Sequence, residues 1–313
     1  MTDTSSRFET LVNPPQEIFD QLLKWSGETE GWSFQATDYD FWRDAYDGYW
    51  FFAVIEKESN SFVASVSLAL LAPENEEPLY SIGMYYCRPE FRGNGQALEI
   101  FRKALAIVGD HNLTLWGVVD LSPKYASKFG LDKVNDCWHM CTTIKMIHVN
   151  LDVPISDEYQ TKGLNEVDRQ KVHEFDRTVC PKTRNRLMDR WFQCPQSYTK
   201  VVFDKASGNI VGYTTIRIML KRKLSVGPMY AMNKAAASRL FHDVLVEIPE
   251  WRMHDDICFL HAASNADVTD LVSEYSGGRF ESKEFMRGQY TKQFIPIPHQ
   301  YVYSISDCAH AIV

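Results

Sequence analysis

Tyr85-Tyr-Cys-Arg-Pro-Glu-Phe-Arg-Gly-Asn-Gly-Gln-Ala97 is the stretch on which the fold turns. An apolar run from Leu79 ends inside it, Pro89 breaks the strand, and from Gln96 to Val108 the apolar spacing becomes helical. Gly93 and Gly95 let the backbone take positive φ and approach a ligand closely. The start of the following helix presents unpaired amides and the positive end of a dipole. Arg92 adds a charged fork, and Ala97 leaves space on the first turn. From Arg88 to Lys103 the basic residues Arg88, Arg92, Arg102 and Lys103 outnumber Glu90 and Glu99. Strand, glycine loop and helix together make a site for a pyrophosphate.

Upstream, Asn13-Pro14-Pro15 precedes a helix over Glu17 to Trp25, with Ile18, Leu22 and Trp25 on one face. Thr37 or Asp38 caps a second helix through Tyr46. Tyr49 to Glu56 and Phe62 to Leu71 form a hairpin about Lys57-Glu-Ser-Asn-Ser61. Downstream, Leu113 to Val119 is a strand, Pro123 to Phe129 a short helix, and Val134 to His148 a last strand. This order predicts an α/β (α+β) fold: a mixed, mostly antiparallel, twisted sheet flanked by helices, with the site where strands diverge.

The second half repeats the plan. Asp204-Lys-Ala-Ser-Gly-Asn-Ile-Val-Gly-Tyr213 parallels Glu56-Lys-Glu-Ser-Asn-Ser-Phe-Val-Ala-Ser65, and Ser225-Val-Gly-Pro-Met-Tyr-Ala231 parallels Ser81-Ile-Gly-Met-Tyr-Tyr-Cys87. Ala237 to Phe241 likewise matches Ala97 to Phe101. Between strand and helix the first copy has Arg88 to Gln96, the second only Met232 to Ala236, so the second lacks the loop. Two domains of one kind are therefore expected, residues 1–150 and 151–296, the second opening on a helix around Asn165 to Arg177 and followed by an unassigned tail, 297–313.

A chain of 313 residues is long enough for two cores, and a hydrophobic share of 45% against 24% charged is that of a folded, water-soluble protein. The net charge of -8 counts against nucleic acid, and the Lys221-Arg222-Lys223 cluster reads as a solvated bend. A polar start, Met1 to Thr10, and the lack of any long apolar run argue for a cytoplasmic protein with no membrane partner. Seven cysteines at irregular spacing fit reduced thiols. Cys137, His139 and Cys141 share a strand, but no second ligand pair follows, so no metal is expected.

No Gly-Lys-Ser/Thr follows the loop, which excludes a Walker site, and the third glycine of a Rossmann fingerprint is missing. Arg92-Gly93-Asn94-Gly95-Gln96-Ala97 resembles the Arg/Gln-x-x-Gly-x-Gly/Ala signature of the GNAT superfamily of N-acetyltransferases. The resemblance covers residues 6 to 148, with the second half similar to a degenerate copy. It implies that the loop binds acetyl-CoA or another acyl-CoA as co-substrate. It gives Tyr85, Tyr86 and Cys87 the role of holding the pantetheine arm, and it implies acyl transfer to an amine of a small molecule or peptide.

Members often place a proton-donating Tyr in Tyr-x-x-x-Gly-Phe. Here the run is Tyr125-Ala-Ser-Lys-Phe-Gly-Leu131, one residue early, so Tyr125 is either the acid or a packing residue. Asp120, ending a strand, either polarises the amine or caps the next helix. No base stands out, and the oligomeric state is open. Trp32, Phe34, Tyr39, Phe41 and Trp42 are candidates for lining an acceptor cleft between the domains. The alternative to an enzyme is a CoA-binding module without turnover. A third possibility, an active second copy with Asn265 and Tyr275, is weakened by the missing loop.

Overall fold

The computed structural model describes residues 7–134 and 137–310. The start of the polar leader (1–6), two residues of the Val134 to His148 run (135 and 136) and the tail end (311–313) lie outside it.

The first half runs β1 (Phe8–Val12), α1 (Gln16–Thr29), α2 (Asp38–Ala45), β2 (Gly48–Glu56), β3 (Ser61–Leu71), β4 (Leu79–Cys87), α3 (Gln96–Val108), β5 (Asn112–Val118), α4 (Ser122–Phe129), β6 (Lys133–Val134) and β7 (His139–Lys145). The second half follows the same order: β8 (Tyr159–Gly163), α5 (Arg169–Val179), α6 (Asn185–Phe192), β9 (Ser197–Asp204), β10 (Ile210–Met219), β11 (Lys223–Ala231), α7 (Lys234–Leu245), β12 (Asp256–Ala262), α8 (Ala266–Ser276) and β13 (Glu281–Tyr290). A short β14 (Val302–Ser304) comes last.

Local chemistry accounts for the elements. In α1, Ile18, Phe19, Leu22 and Leu23 fall at helical spacing and are buried against the sheet. β2 and β3 are apolar on both faces because helices cover both sides of the sheet. On one side Phe101 of α3 is fully buried and stacks on Phe129 of α4 at 4.3 Å; truncating such a ring to Ala costs about 3–5 kcal/mol.

Two expectations shift. The Val134 to His148 run is described as two strands: β6 and β7 both pair with β13, Val134 opposite Gln289 and His139 opposite Met286. The helix expected from Asn165 begins at Arg169, because the Asp168 carboxylate accepts from the Gln170 amide at 3.0 Å and starts the helix there.

Among the described residues the strands form one sheet in the order β1-β2-β3-β4-β5-β13-β7-β12-β11-β10-β9-β8. All neighbours are antiparallel except β4/β5 and β11/β12. The last long strand of each half sits on the fifth strand of the other half: β13 pairs with β5, Met286 opposite Val118, and β7 pairs with β12, Cys141 opposite Leu260. The two halves thus share a continuous ladder through β13 and β7.

The tail has a defined course. β14 pairs with β11, Met229 opposite Ser304, and the chain then crosses to the first half. There His310 is buried among Trp42, Tyr46 and Tyr49, its Nε2 2.9 Å from Ser67 Oγ.

Candidate acyl-CoA site

β4 and β5 pair in parallel from Leu79/Asn112 to Ile82/Leu115, and the pairing stops there. Met84, at φ 48°, kinks β4 just beyond the last pair, and its carbonyl accepts from Ser65 Oγ at 2.7 Å. The strands therefore splay, and a cleft of about 640 Å³ opens between them. Tyr85, Tyr86 and Cys87 run along one wall of it, with strand backbone whose β5-facing side is no longer paired to that strand.

The glycine loop stands at the mouth. Gly93 and Gly95 adopt φ of 85° and 90°, and nothing lies within 4 Å of a β-carbon built on either. Gly95 is the residue before α3, so the first-turn amides of that helix open toward the loop. Asn94 folds back, its Oδ1 accepting from the Gln96 amide at 3.0 Å. Arg92, Gly93, Asn94, Gly95 and Ala97 line the cleft; Gln96 is not among the lining residues. The Arg92 guanidinium is held from two sides, by Glu30 at 2.5 Å and by the Cys87 carbonyl at 3.0 Å. Arg88, by contrast, lies over Trp25 at 3.9 Å and pairs with Glu90, so it is committed to structure.

Tyr125 and Asp120 both line the cleft. Tyr125 is buried between Phe101, stacked at 6.1 Å, and Tyr85, edge-on at 6.4 Å. Burial, reinforced by Tyr85, pushes its phenol well above the ordinary value, so the hydroxyl keeps its proton at neutral pH. Asp120 is exposed, and α4 begins at Ser122 without a side-chain cap. Ser122 Oγ instead accepts from Arg287 Nε at 2.9 Å.

Several lining residues had no signal in the sequence. Lys124 and Lys128, one turn apart on α4, add positive charge at the mouth. Trp116 on β5, Phe285 and Met286 on β13, and Cys308 and Ala309 of the tail also line the cleft. Of the five aromatics considered for an acceptor cleft, Trp32 and Phe34 line it, whereas Tyr39 and Trp42 are core and Phe41 packs on Trp191 at 5.5 Å.

The equivalent place in the second half is filled. β11 and β12 pair from Lys223/Asp256 to Val226/Phe259 and then part, and β14 occupies the gap. Ser304 Oγ donates to the Val226 carbonyl at 2.6 Å and accepts from the Leu260 amide at 2.9 Å, while the Ile305 amide donates to Leu260. Asn233 caps α7 by accepting from the Ala236 amide. Asn265 and Tyr275 are bound internally, to the Val302 and Ser238 carbonyls.

Cys137, His139 and Cys141 do not converge: His139 packs on Trp116, and Cys141 lies 3.4 Å from Cys258. No group of three or more potential ligands for a metal ion occurs among the described residues. No helix among them is long and apolar enough to cross a membrane.

Comparison with known proteins agrees with this architecture. Residues 5–168, more than half of the chain, match a family described as "Protein of unknown function (DUF1248)". Residues 172–304 match "Acetyltransferase (GNAT) domain". The chain belongs to the DUF1248 family, and its likeness to solved structures is that of the tandem GNAT fold. The GNAT description falls on the half whose cleft is filled.

Similar solved structures include a putative acetyltransferase from Pyrococcus horikoshii, with a TM-score of 0.68 at 13% identity, covering 96% of this chain and 95% of that one. A tandem GNAT protein from the clavulanic acid biosynthesis pathway matches at TM-score 0.66 and 16% identity, covering 90% and 97%. Saccharomyces cerevisiae N-myristoyltransferase, solved with myristoyl-CoA, matches at 0.61 and 10%, covering 98% and 84%. At these identities the likeness is one of fold. No curated protein matches the chain in sequence.

Proposed function

We propose that this chain is an acyl-CoA-dependent N-acyltransferase with one cofactor site per chain, most simply for acetyl-CoA, acting on an amine of a small molecule or peptide. The observation that carries it is the asymmetry of two like halves: the first keeps an open splay beside a glycine loop, and the second has neither. In this reading residues 1–150 bind acyl-CoA and 151–296 support them, with β14 of the tail filling the second splay.

Gly93, Asn94, Gly95 and Ala97 would present backbone amides to the pyrophosphate, with Arg92, Lys124 and Lys128 balancing its charge. The strand backbone of Tyr85 to Cys87 would hold the pantetheine arm. Acyl-CoA supplies an activated thioester when bound. Tyr125, protonated and beside Tyr85, would give a proton to the departing sulfur. Asp120, at the mouth, would attract the amine.

The test is a thermal melt with and without acetyl-CoA for the wild type and Gly95→Glu. At a hundredfold excess over Kd, ligand linkage contributes about 2.7 kcal/mol, a rise of several degrees in a chain of this size. The rise is expected in the wild type and absent in Gly95→Glu. A wild-type melt that does not move would overturn the reading, and binding with no CoA release from any amine would leave a CoA-binding module.

A further inference from the structure

β7 of the first half and β12 of the second are paired, and two thiols meet across that join. Cys141 stands opposite Leu260 and Cys258 opposite Thr143, so the cysteines are diagonal neighbours on one face of the ladder. Their sulfurs are 3.4 Å apart. The ladder runs without a register shift from Asp256/Lys145 to Ala262/His139, which fixes this approach. Its two faces differ. One carries Ile144, Ile257 and Phe259 into a buried core. The other carries the cysteines, both half-buried, and on it Lys283 of β13, opposite Cys141, and Lys145, four residues along β7, are exposed. The pair is therefore open on that side to a small polar oxidant.

The two sulfurs have different parts to play. The hydrogen bond from Cys258 pulls the Cys141 thiol below its ordinary value, against the opposing effect of burial, with further help from Thr143, Lys283 and Lys223. The same contact, and burial, hold the Cys258 thiol up. Burial also pushes up the thiols of Cys87, Cys180, Cys194 and Cys308. Cys141 is thus the sulfur suited to attack an oxidant, and Cys258, still a thiol and already in contact, is the one suited to resolve the product.

We propose that Cys141 and Cys258 are a reversible oxidation site, at which hydrogen peroxide closes a disulfide across the join between the halves. The Cys141 thiolate attacks one peroxide oxygen and the O–O bond breaks, giving a sulfenic acid and a hydroxide that takes the proton the thiol gave up and leaves as water. The Cys258 sulfur then attacks the sulfenic sulfur, the S–O bond breaks, and the Cys258 proton leaves with the hydroxyl as a second water. The two thiols together lose two electrons, and one peroxide accepts them. A thiol reductant reopens the bond by exchange. The disulfide joins residues 117 apart in sequence, one from each half, and so opposes separation of the halves.

The experiment takes the full chain, reduced and then freed of reductant, and treats it with a small molar excess of hydrogen peroxide. Free thiols are capped with N-ethylmaleimide, and the peptides are mapped by mass without reduction. The expected first product is a peptide pair linked through Cys141 and Cys258, formed about tenfold faster than any other cysteine is modified. Fragment spectra separate Cys141 from Cys137, four residues before it. The oxidised chain should melt several degrees higher than the reduced one, and dithiothreitol should return both the mass and the melt to their starting values. In Cys258→Ala no bond forms, and dimedone traps a sulfenic acid at Cys141; in Cys141→Ala, Cys258 stays unmodified. Recovery of Cys141 and Cys258 from the wild type as separate capped peptides, linkage through Cys137 or Cys308, or cross-linking between chains would overturn the proposal. So would an oxidised chain that melts no higher than the reduced one. The wild-type map and melt decide the matter by themselves if a variant fails to fold.

Discussion

The Ala309 carbonyl packs on Gly83 so closely that a β-carbon at Gly83 would lie 2.1 Å from its oxygen. The equivalent glycine of the second half, Gly227, is approached in the same way, with the Ile305 oxygen 2.3 Å from its would-be β-carbon. The tail thus crosses both strands at the glycine of the repeated Ser-x-Gly sequence, first beside β11 and then beside β4.

Gly83→Ala is expected to displace the tail, because the clash is with backbone. The cost should be about 1–3 kcal/mol, the range for overpacking a tight contact. Denaturant unfolding checks this: a midpoint equal to the wild type would mean the tail gives way freely.

Tyr125→Phe keeps the ring against Phe101 and removes only the hydroxyl. If that hydroxyl supplies the proton, kcat should fall about a hundredfold or more, while the acetyl-CoA melting shift stays as in the wild type. Loss of both together would show that the hydroxyl serves cofactor binding and not proton transfer alone.

Acid should destabilise the fold through two histidines. Burial holds His139 and His310 at about 3, against an ordinary 6.5, so both are neutral in the folded chain. The unfolded chain takes up their protons first, so their contribution is whole above pH 6.5 and is lost as the pH falls toward 3. Between pH 7 and pH 5 each removes about 2 kcal/mol. Unfolding free energies at pH 7, 6 and 5 test this; His310→Asn should flatten the slope, and an unchanged slope would contradict the account.

Arg184 and Asp176 form a buried pair, with the carboxylate accepting at 3.0 and 2.8 Å and also from the Tyr213 hydroxyl. Arg184→Met leaves the carboxylate without its counter-ion and should cost about 3–5 kcal/mol. Arg184→Met with Asp176→Leu should recover much of the loss. A double-mutant cycle in urea measures the coupling, and strictly additive effects would rule it out.

Most elements were legible because their causes are local. Ile18, Leu22 and Trp25 mark a helix by spacing, and the β4 limits, Leu79–Cys87, follow from an apolar run ended by Arg88-Pro89. Phe41 and Trp42 show where such reading stops: neighbours in sequence, one packs on α6 and the other faces the core of the first half, and neither lines the cleft.

The sequence alone determined the glycine loop, its absence at Met232 to Ala236, and the repeated order of elements, since turn chemistry and apolar period are written in adjacent residues. Tertiary structure decided that β13 sits between β5 and β7, that Ser304 fills the second splay, and that Phe285, Met286, Cys308 and Ala309 close the first. A strand carries the pattern of its faces but no address for its partner. That choice is made between free edges brought together by the whole chain, and here it joins residues from opposite ends of the sequence.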